Sequence, residues 1–421
     1  MRNFLIRSKN VDRDSIVWNI IGSLLQAFQS VFILMVLTRQ LGLTEAGIFT
    51  IAYANANLFL TIGNYGMRNY QVSDVAREFS FGTYRCSRWV TSLGMICVSV
   101  VYAIMSAFIN GYSINKTIII ILMCFYRASD AYEDVYIGFY QQNGRLDIGT
   151  KCLSIRTFFS ILTYILVTLV SKNQIYAVAA TVIISYGVMI MLILNSRSVF
   201  DIDMKFEFER VLVLLRKCFP LFMGAFLSFY IGNAPKYAID SQLSDEIQAC
   251  YGFIAMPVFV IGLLNNFIFN PLIYQLSCLW QKGKIEKFVK IVLIQVFVIF
   301  IITICCILGA YIMGIPVLSI IYGTDLTPYL TELLLLLGGG GFLALSGLLN
   351  TMIIILRKEK AIACVYSFVA VLAFCFSNLI VKNYGIFGAS ILYTLFMALV
   401  STCFMFVFIW AVFKRKREAQ S

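Results

Sequence analysis

Histidine is absent from the 421 residues, and charged side chains make up only 13% of them. The first absence removes the imidazole base and the imidazole zinc ligand. The second is at odds with a soluble globular protein, in which about a quarter of residues are charged. Proline is scarce as well, with six residues, at 220, 235, 257, 271, 316 and 328. The twelve cysteines form no Cys-x-x-Cys pair, only the adjacent Cys305 and Cys306, and most lie in apolar stretches where a free thiol packs as a small hydrophobe. No Gly-x-x-x-x-Gly-Lys-Ser/Thr sequence occurs, so energy for any transport must come from ion gradients or product removal.

What the chain has is apolar length. Apolar residues reach 60%, and the mean hydropathy is +0.86, which places the chain among integral membrane proteins. A helix needs about 20 apolar residues to cross the hydrocarbon. Twelve such stretches are read, near 16–38, 47–66, 89–110, 115–137, 152–171, 174–195, 218–239, 248–271, 290–312, 329–352, 361–381 and 386–412. The first is about twice the length of a signal-peptide core and lacks a small-residue cleavage site, so it is expected to stay as a span.

Basic residues test the count, because Lys and Arg of short loops concentrate on the cytoplasmic side. With the N-terminus inside, 27 of the 33 Lys and Arg fall in inner segments or at the inner ends of spans and four (Arg39, Lys116, Lys172, Lys382) in outer segments or at outer ends, leaving Arg127 and Lys236 deeper within spans. One span more or fewer would invert every later loop. The expectation is therefore an all-α integral membrane protein of twelve transmembrane helices in two six-helix halves, with both termini cytoplasmic. The net charge of +12 reflects topology, and a nucleic-acid partner is excluded because the cations form no water-exposed stripe. The halves are 1–196 and 218–421, joined by a cytoplasmic amphipathic linker, 197–217, carrying Phe206, Phe208, Val211, Leu212 and Leu215. Leu43-Thr44-Glu45 echoes Leu243-Ser244-Asp245, and Asn64 is placed comparably to Asn265. A duplicated plan with a site between the halves is common among transporters.

Polar groups in spans need partners or water. Asn19, Ser23, Gln26 and Ser30 share one face of the first span, and Asn57, Thr61, Asn64 and Arg68 repeat that spacing in the second. Matching stripes suit a shared aqueous groove, and equally suit interhelical hydrogen bonds. Arg127 lies eleven residues beyond Lys116, about 16 Å deep and near the midplane. Asp130 and Asp134 share its face, so it is read either as their structural partner or as a cationic site for an anionic substrate. In the second case the carboxylates balance its charge or carry a coupling sodium or proton. Lys236 either snorkels to the headgroups or serves function. Arg39 and Arg68 sit at opposite membrane faces, as interfacial anchors or phosphate holders. Pro235 and Pro257 invite kinks in the seventh and eighth spans. Gly338 to Gly341 allow close packing or bending.

Three segments carry a family resemblance: Thr38-Arg39-Gln40-Leu41-Gly42-Leu43-Thr44-Glu45-Ala46-Gly47-Ile48-Phe49, Gly138-Phe139-Tyr140-Gln141-Gln142-Asn143-Gly144-Arg145, and Tyr384-Gly385-Ile386-Phe387-Gly388-Ala389. Through them and its twelve-span layout the chain resembles the polysaccharide-export branch of the superfamily that contains multidrug/toxic-compound extruders and lipid II flippases. The resemblance implies a Wzx-type flippase of the bacterial cytoplasmic membrane. Such a protein moves undecaprenyl-diphosphate-linked oligosaccharide, an O-antigen or capsule repeat unit, from the inner to the outer leaflet by alternating access. Arg127, with Arg68, Arg39 or Lys236, would hold the diphosphate. Asn19, Ser23, Gln26, Ser30, Asn57, Thr61 and Asn64 would meet sugar hydroxyls. Membrane lipids, and a polymerase and glycosyltransferases of the same pathway, are the implied partners, and no resident cofactor is expected. The chain departs from lipid II flippases in lacking their extra pair of spans and in having one basic residue that is central. A cation-coupled multidrug exporter of the same superfamily is the alternative, although the first two spans carry no carboxylate. An enzyme is not expected, since the outer segments are short.

Overall fold

The structure, a computed structural model, describes residues 2–74, 77–196, 200, 204–205, 207–269 and 272–418. Arg197, Phe206 and Pro271 lie outside the described residues, as does the side chain of Asn265. Among the described residues the regular structure is entirely helical. The chain forms two compact units, Met1–Phe226 and Leu227–Ser421.

The first unit begins with α1 (Arg2–Ile6) and α2 (Val11–Leu41). The Asn10 side chain caps α2 by accepting from the Arg13 amide at 3.0 Å. Gly42, at φ 93°, turns the chain directly into α3 (Leu43–Asn64). Tyr65 and Gly66 are both left-handed, at φ 50° and 64°, and separate α3 from the short α4 (Met67–Ser73). The second apolar span is thus discontinuous at its polar end. Helices α5 (Phe81–Asn110), α6 (Ile114–Gln142), α7 (Leu146–Ser171) and α8 (Gln174–Ser196) follow, with Ser80 and Ser113 capping α5 and α6. Helix α2 packs on α7, α3 on α5 and α6, and α7 on α8. At Gly63 a side chain would place its Cβ 2.8 Å from that of Ala131 and 2.9 Å from Met95 Sδ, so α3 and α6 touch through backbone.

Helix α9 (Phe208–Gln242) starts in the first unit and ends in the second. Residues 208–217, expected as part of a surface linker, are helical and run without a break into the apolar stretch that follows. Pro235 lies inside this continuous helix, so the expected kink does not interrupt it. At Pro257 the expectation holds: α10 (Asp245–Ala255) stops and α11 (Val258–Phe269) restarts.

The second unit continues with α12 (Ile273–Gln281), α13 (Ile285–Gly309), a π-helical turn at Ala310–Gly314, α14 (Ile315–Tyr322), α15 (Leu330–Ile355) and α16 (Glu359–Glu418). The 60-residue α16 is broken at Gly385, with φ 57° and ψ −139°. The glycine run serves packing, since α15 passes through it unbroken. A Cβ at Gly339 would come within 2.6 Å of Tyr393, at Gly340 within 3.0 Å of Val258 and at Gly341 within 2.6 Å of Thr303.

Nine of the described helical segments are long and apolar enough to cross a membrane. Helix α6 is not among them because its centre is charged. Phe108 and Val170 in the first unit and Ile312 and Phe374 in the second turn more than 70% of their surface outward. Water would penalise such a surface, and lipid accepts it. The chain is a multi-pass membrane protein.

Candidate functional site

Within the first unit a cavity of about 430 Å³ opens between helices α2, α3, α6 and α7. Gln26 and Ala27 of α2, Tyr53, Asn57, Leu60 and Asn64 of α3, Arg68 of α4, Arg127, Asp130, Asp134 and Ile137 of α6, and Leu153 of α7 line it. The polar side chains come from the stripes that spacing places on one face of each helix. Arg68 reaches this wall although α3 and α4 do not form one straight helix.

Arg127 sits midway along α6 and is 4% exposed. Its Nη1 donates to Asp130 Oδ2 at 2.5 Å and its Nη2 to the Tyr53 hydroxyl at 2.5 Å, while the guanidinium lies 4.7 Å from the centroid of the Tyr53 ring. Both readings of Arg127 meet here, because it pairs with Asp130 and also lines the cavity. Asp130 has a second cation in Arg156 of α7, whose Nη2 donates to Asp130 Oδ1. Arg156 Nε donates to Glu133 Oε2 at 2.7 Å, and its Nη1 to Ser185 Oγ at 3.0 Å. Arg88 of α5 is equally enclosed: Nη2 donates to Asp134 Oδ2 at 2.9 Å and Nη1 to the Gly63 carbonyl at 2.5 Å. Arg68 stands apart, with a side chain 32% exposed and an Nη1 that reaches Asp134 Oδ1 only at 3.4 Å. Its Nη2 donates to Gln141 Oε1 at 3.0 Å.

Four guanidiniums thus face three carboxylates, a formal excess of one positive charge, with Arg68 the partly exposed member. Taking one partner from a buried pair costs about 3–5 kcal/mol, so the network fixes α5, α6 and α7 against one another. Arg127, Arg156 and Arg88 are committed to that task. Arg68 is the guanidinium with surface to spare.

Other expected residues lie elsewhere. Asn19 and Ser23 are exposed on α2, two turns and one turn before Gln26, and do not line the cavity. Ser30 is buried, and Thr61 turns its hydroxyl back to the Leu58 carbonyl at 2.6 Å. Arg39 is exposed in the last turn of α2, separated from Arg68 by the whole of α3, about 30 Å. Lys236 is half-buried on the part of α9 that belongs to the second unit.

Arg88 and Arg156 were counted among loop cations, yet both are fully buried. The signal was helical spacing: Arg156, Ser160 and Tyr164 fall on one face, as do Arg88, Ser92 and Ser99, and all are buried.

This arrangement stands on a fold already known from transport proteins. No family model matches the chain. An inward-facing multidrug resistance transporter of the MATE family, in the MOP superfamily, superposes with a TM-score of 0.73 over 98% of this chain and 100% of its own, at 10% identity. The lipid II flippase MurJ in an inward closed conformation gives 0.72 over 95% and 90%, at 14% identity. In sequence, the chain is 22% identical to the capsular polysaccharide biosynthesis protein CapF of Staphylococcus aureus over 323 residues, 73% of this chain and 79% of that protein. The chain shares its fold with these extruder and flippase structures.

Proposed function

We propose that the chain is a flippase which carries undecaprenyl-diphosphate-linked oligosaccharide, an O-antigen, capsule or related repeat unit, from the inner to the outer leaflet of the bacterial cytoplasmic membrane. The observation that carries this reading is the cavity wall, where an incompletely paired arginine, Arg68, stands beside the amides of Gln26, Asn57 and Asn64. A guanidinium suits diphosphate and amides suit sugar hydroxyls. The cavity's two carboxylates, Asp130 and Asp134, are each held by arginines, which disfavours an organic cation as cargo. Similarity to a capsular polysaccharide biosynthesis protein supports the same choice of substrate.

The proposed topology has twelve crossings with both termini cytoplasmic. Helix α6, the α10–α11 pair and the two arms of α16 supply the crossings that length and apolarity alone do not count. Sodium or proton coupling would fall to Asp130 or Asp134, and the polymerase and glycosyltransferases of the pathway are the proposed partners.

Sealed proteoliposomes test the proposal. Leaflet exchange of a lipid-diphosphate-oligosaccharide, lost in Arg68→Gln while membrane insertion and folding persist, is the expected result. Efflux of an organic cation without leaflet exchange would move the protein to the drug exporters.

A further inference from the structure

The two cations on Asp134, one behind the cavity wall and one lining it, differ in how firmly they are held. Arg88, fully buried, keeps Asp134 Oδ2 at 2.9 Å and the Gly63 carbonyl at 2.5 Å. Arg68 shares the same carboxylate through its other oxygen at 3.4 Å, at the outer limit of a hydrogen bond. Asp134 is therefore a carboxylate with two arginines, one anchored and one loosely held.

We propose that Asp134 is an internal counter-anion which substrate phosphate displaces from Arg68, making the cavity selective for multiply charged phosphate over singly charged anions. The inference rests on the flippase reading and specifies how its site chooses cargo. Exchange at Arg68 costs little on the protein side, because Asp134 keeps Arg88 and is never left as a buried unpaired charge. An incoming carboxylate only replaces one carboxylate by another. A diphosphate brings more charge and more acceptor oxygens to a wall backed by a network of four guanidiniums and three carboxylates, where the Asn57 and Asn64 amides line the same cavity as Arg68. Gln141 Oε1, the other group on Arg68 at 3.0 Å, is neutral and yields to an anion more readily than Asp134 does.

Calorimetric titration of the full purified chain in detergent micelles, with inorganic pyrophosphate as probe and acetate as competitor, tests this. Pyrophosphate is expected to bind the wild type and to be undisturbed by a large excess of acetate; effective competition by acetate overturns the proposal. Asp134→Asn is expected to tighten pyrophosphate binding about tenfold, the effect of removing one charge-assisted competitor. Unchanged or weaker binding in that variant overturns the displacement, even with leaflet exchange intact, and leaves the flippase reading standing. The double variant Arg88→Met with Asp134→Asn removes both charges of the buried pair, so it keeps the test open if the single variant fails to fold. It is expected to show the same gain. If the wild type does not bind pyrophosphate, or Arg68→Gln binds it equally well, the assignment of the phosphate site itself falls.

Discussion

In the first unit α6 carries Arg127, Asp130, Glu133 and Asp134 through its length and meets Arg88 and Arg156 from neighbouring helices. In the second unit α15 carries Gly339, Gly340 and Gly341 through its centre and meets Tyr393, Val258 and Thr303. Both arrangements hold a helix tightly among others in hydrocarbon, where no hydrophobic force favours helix over lipid. The first depends on giving each buried charge a partner, and the second on leaving out every side chain. Loss of a charge partner strands its neighbours, whereas an added methyl displaces them. The charged arrangement also encloses polar space, and the glycine arrangement fills it.

Four substitutions break or sharpen this contrast. The largest effect is expected from Arg156→Met, which strips Glu133 of its guanidinium and Asp130 of one of two. A loss of about 3–5 kcal/mol should abolish the folded peak in size-exclusion chromatography. Gly341→Val is next: its Cβ would meet Thr303 Oγ1 at 2.6 Å, and overpacking of about 1–3 kcal/mol should lower the thermal midpoint in detergent without touching the charged cavity. Arg68→Gln removes a partly exposed, loosely paired cation, so its stability cost should stay below about 1 kcal/mol although leaflet exchange is lost. Normal unfolding temperature with absent transport separates it from Arg156→Met. The smallest effect belongs to Gly338→Ala, whose Cβ meets nothing within 4 Å. There the gain in helix propensity, up to about 1 kcal/mol, should leave stability equal or slightly raised. A marked loss at this position would refute the steric account of its neighbours.

Much of this was readable in the sequence for physical reasons. Apolar length marks spans because backbone must be satisfied internally in lipid, and spacing of three or four residues placed Gln26, Asn57, Asn64 and Arg127 on the faces that line the cavity. The glycine run announced close packing. Arg88 and Arg156 were hidden because each lies near the polar end of an apolar run, where a cation is usually solvated; only the polar residues one turn further along reveal burial. The loop cations already set Arg39 at the face opposite Arg68, and only the family resemblance kept both among the diphosphate holders. Pro235 shows a further limit: proline removes one hydrogen bond, and neighbouring packing can carry the helix past it.

The left-handed pair Tyr65 and Gly66 has a genetic corollary. Because the helix is interrupted there by two left-handed residues, α3 and α4 are separate helices, and Arg68 reaches Asp134 and Gln141 from α4. An arginine moved back one turn, to position 64, would not restore what Arg68→Gln loses. Second-site revertants of that variant should instead map to the facing surface of α6, at Gln141, where a new cation could enter the same space while Arg88 keeps Asp134.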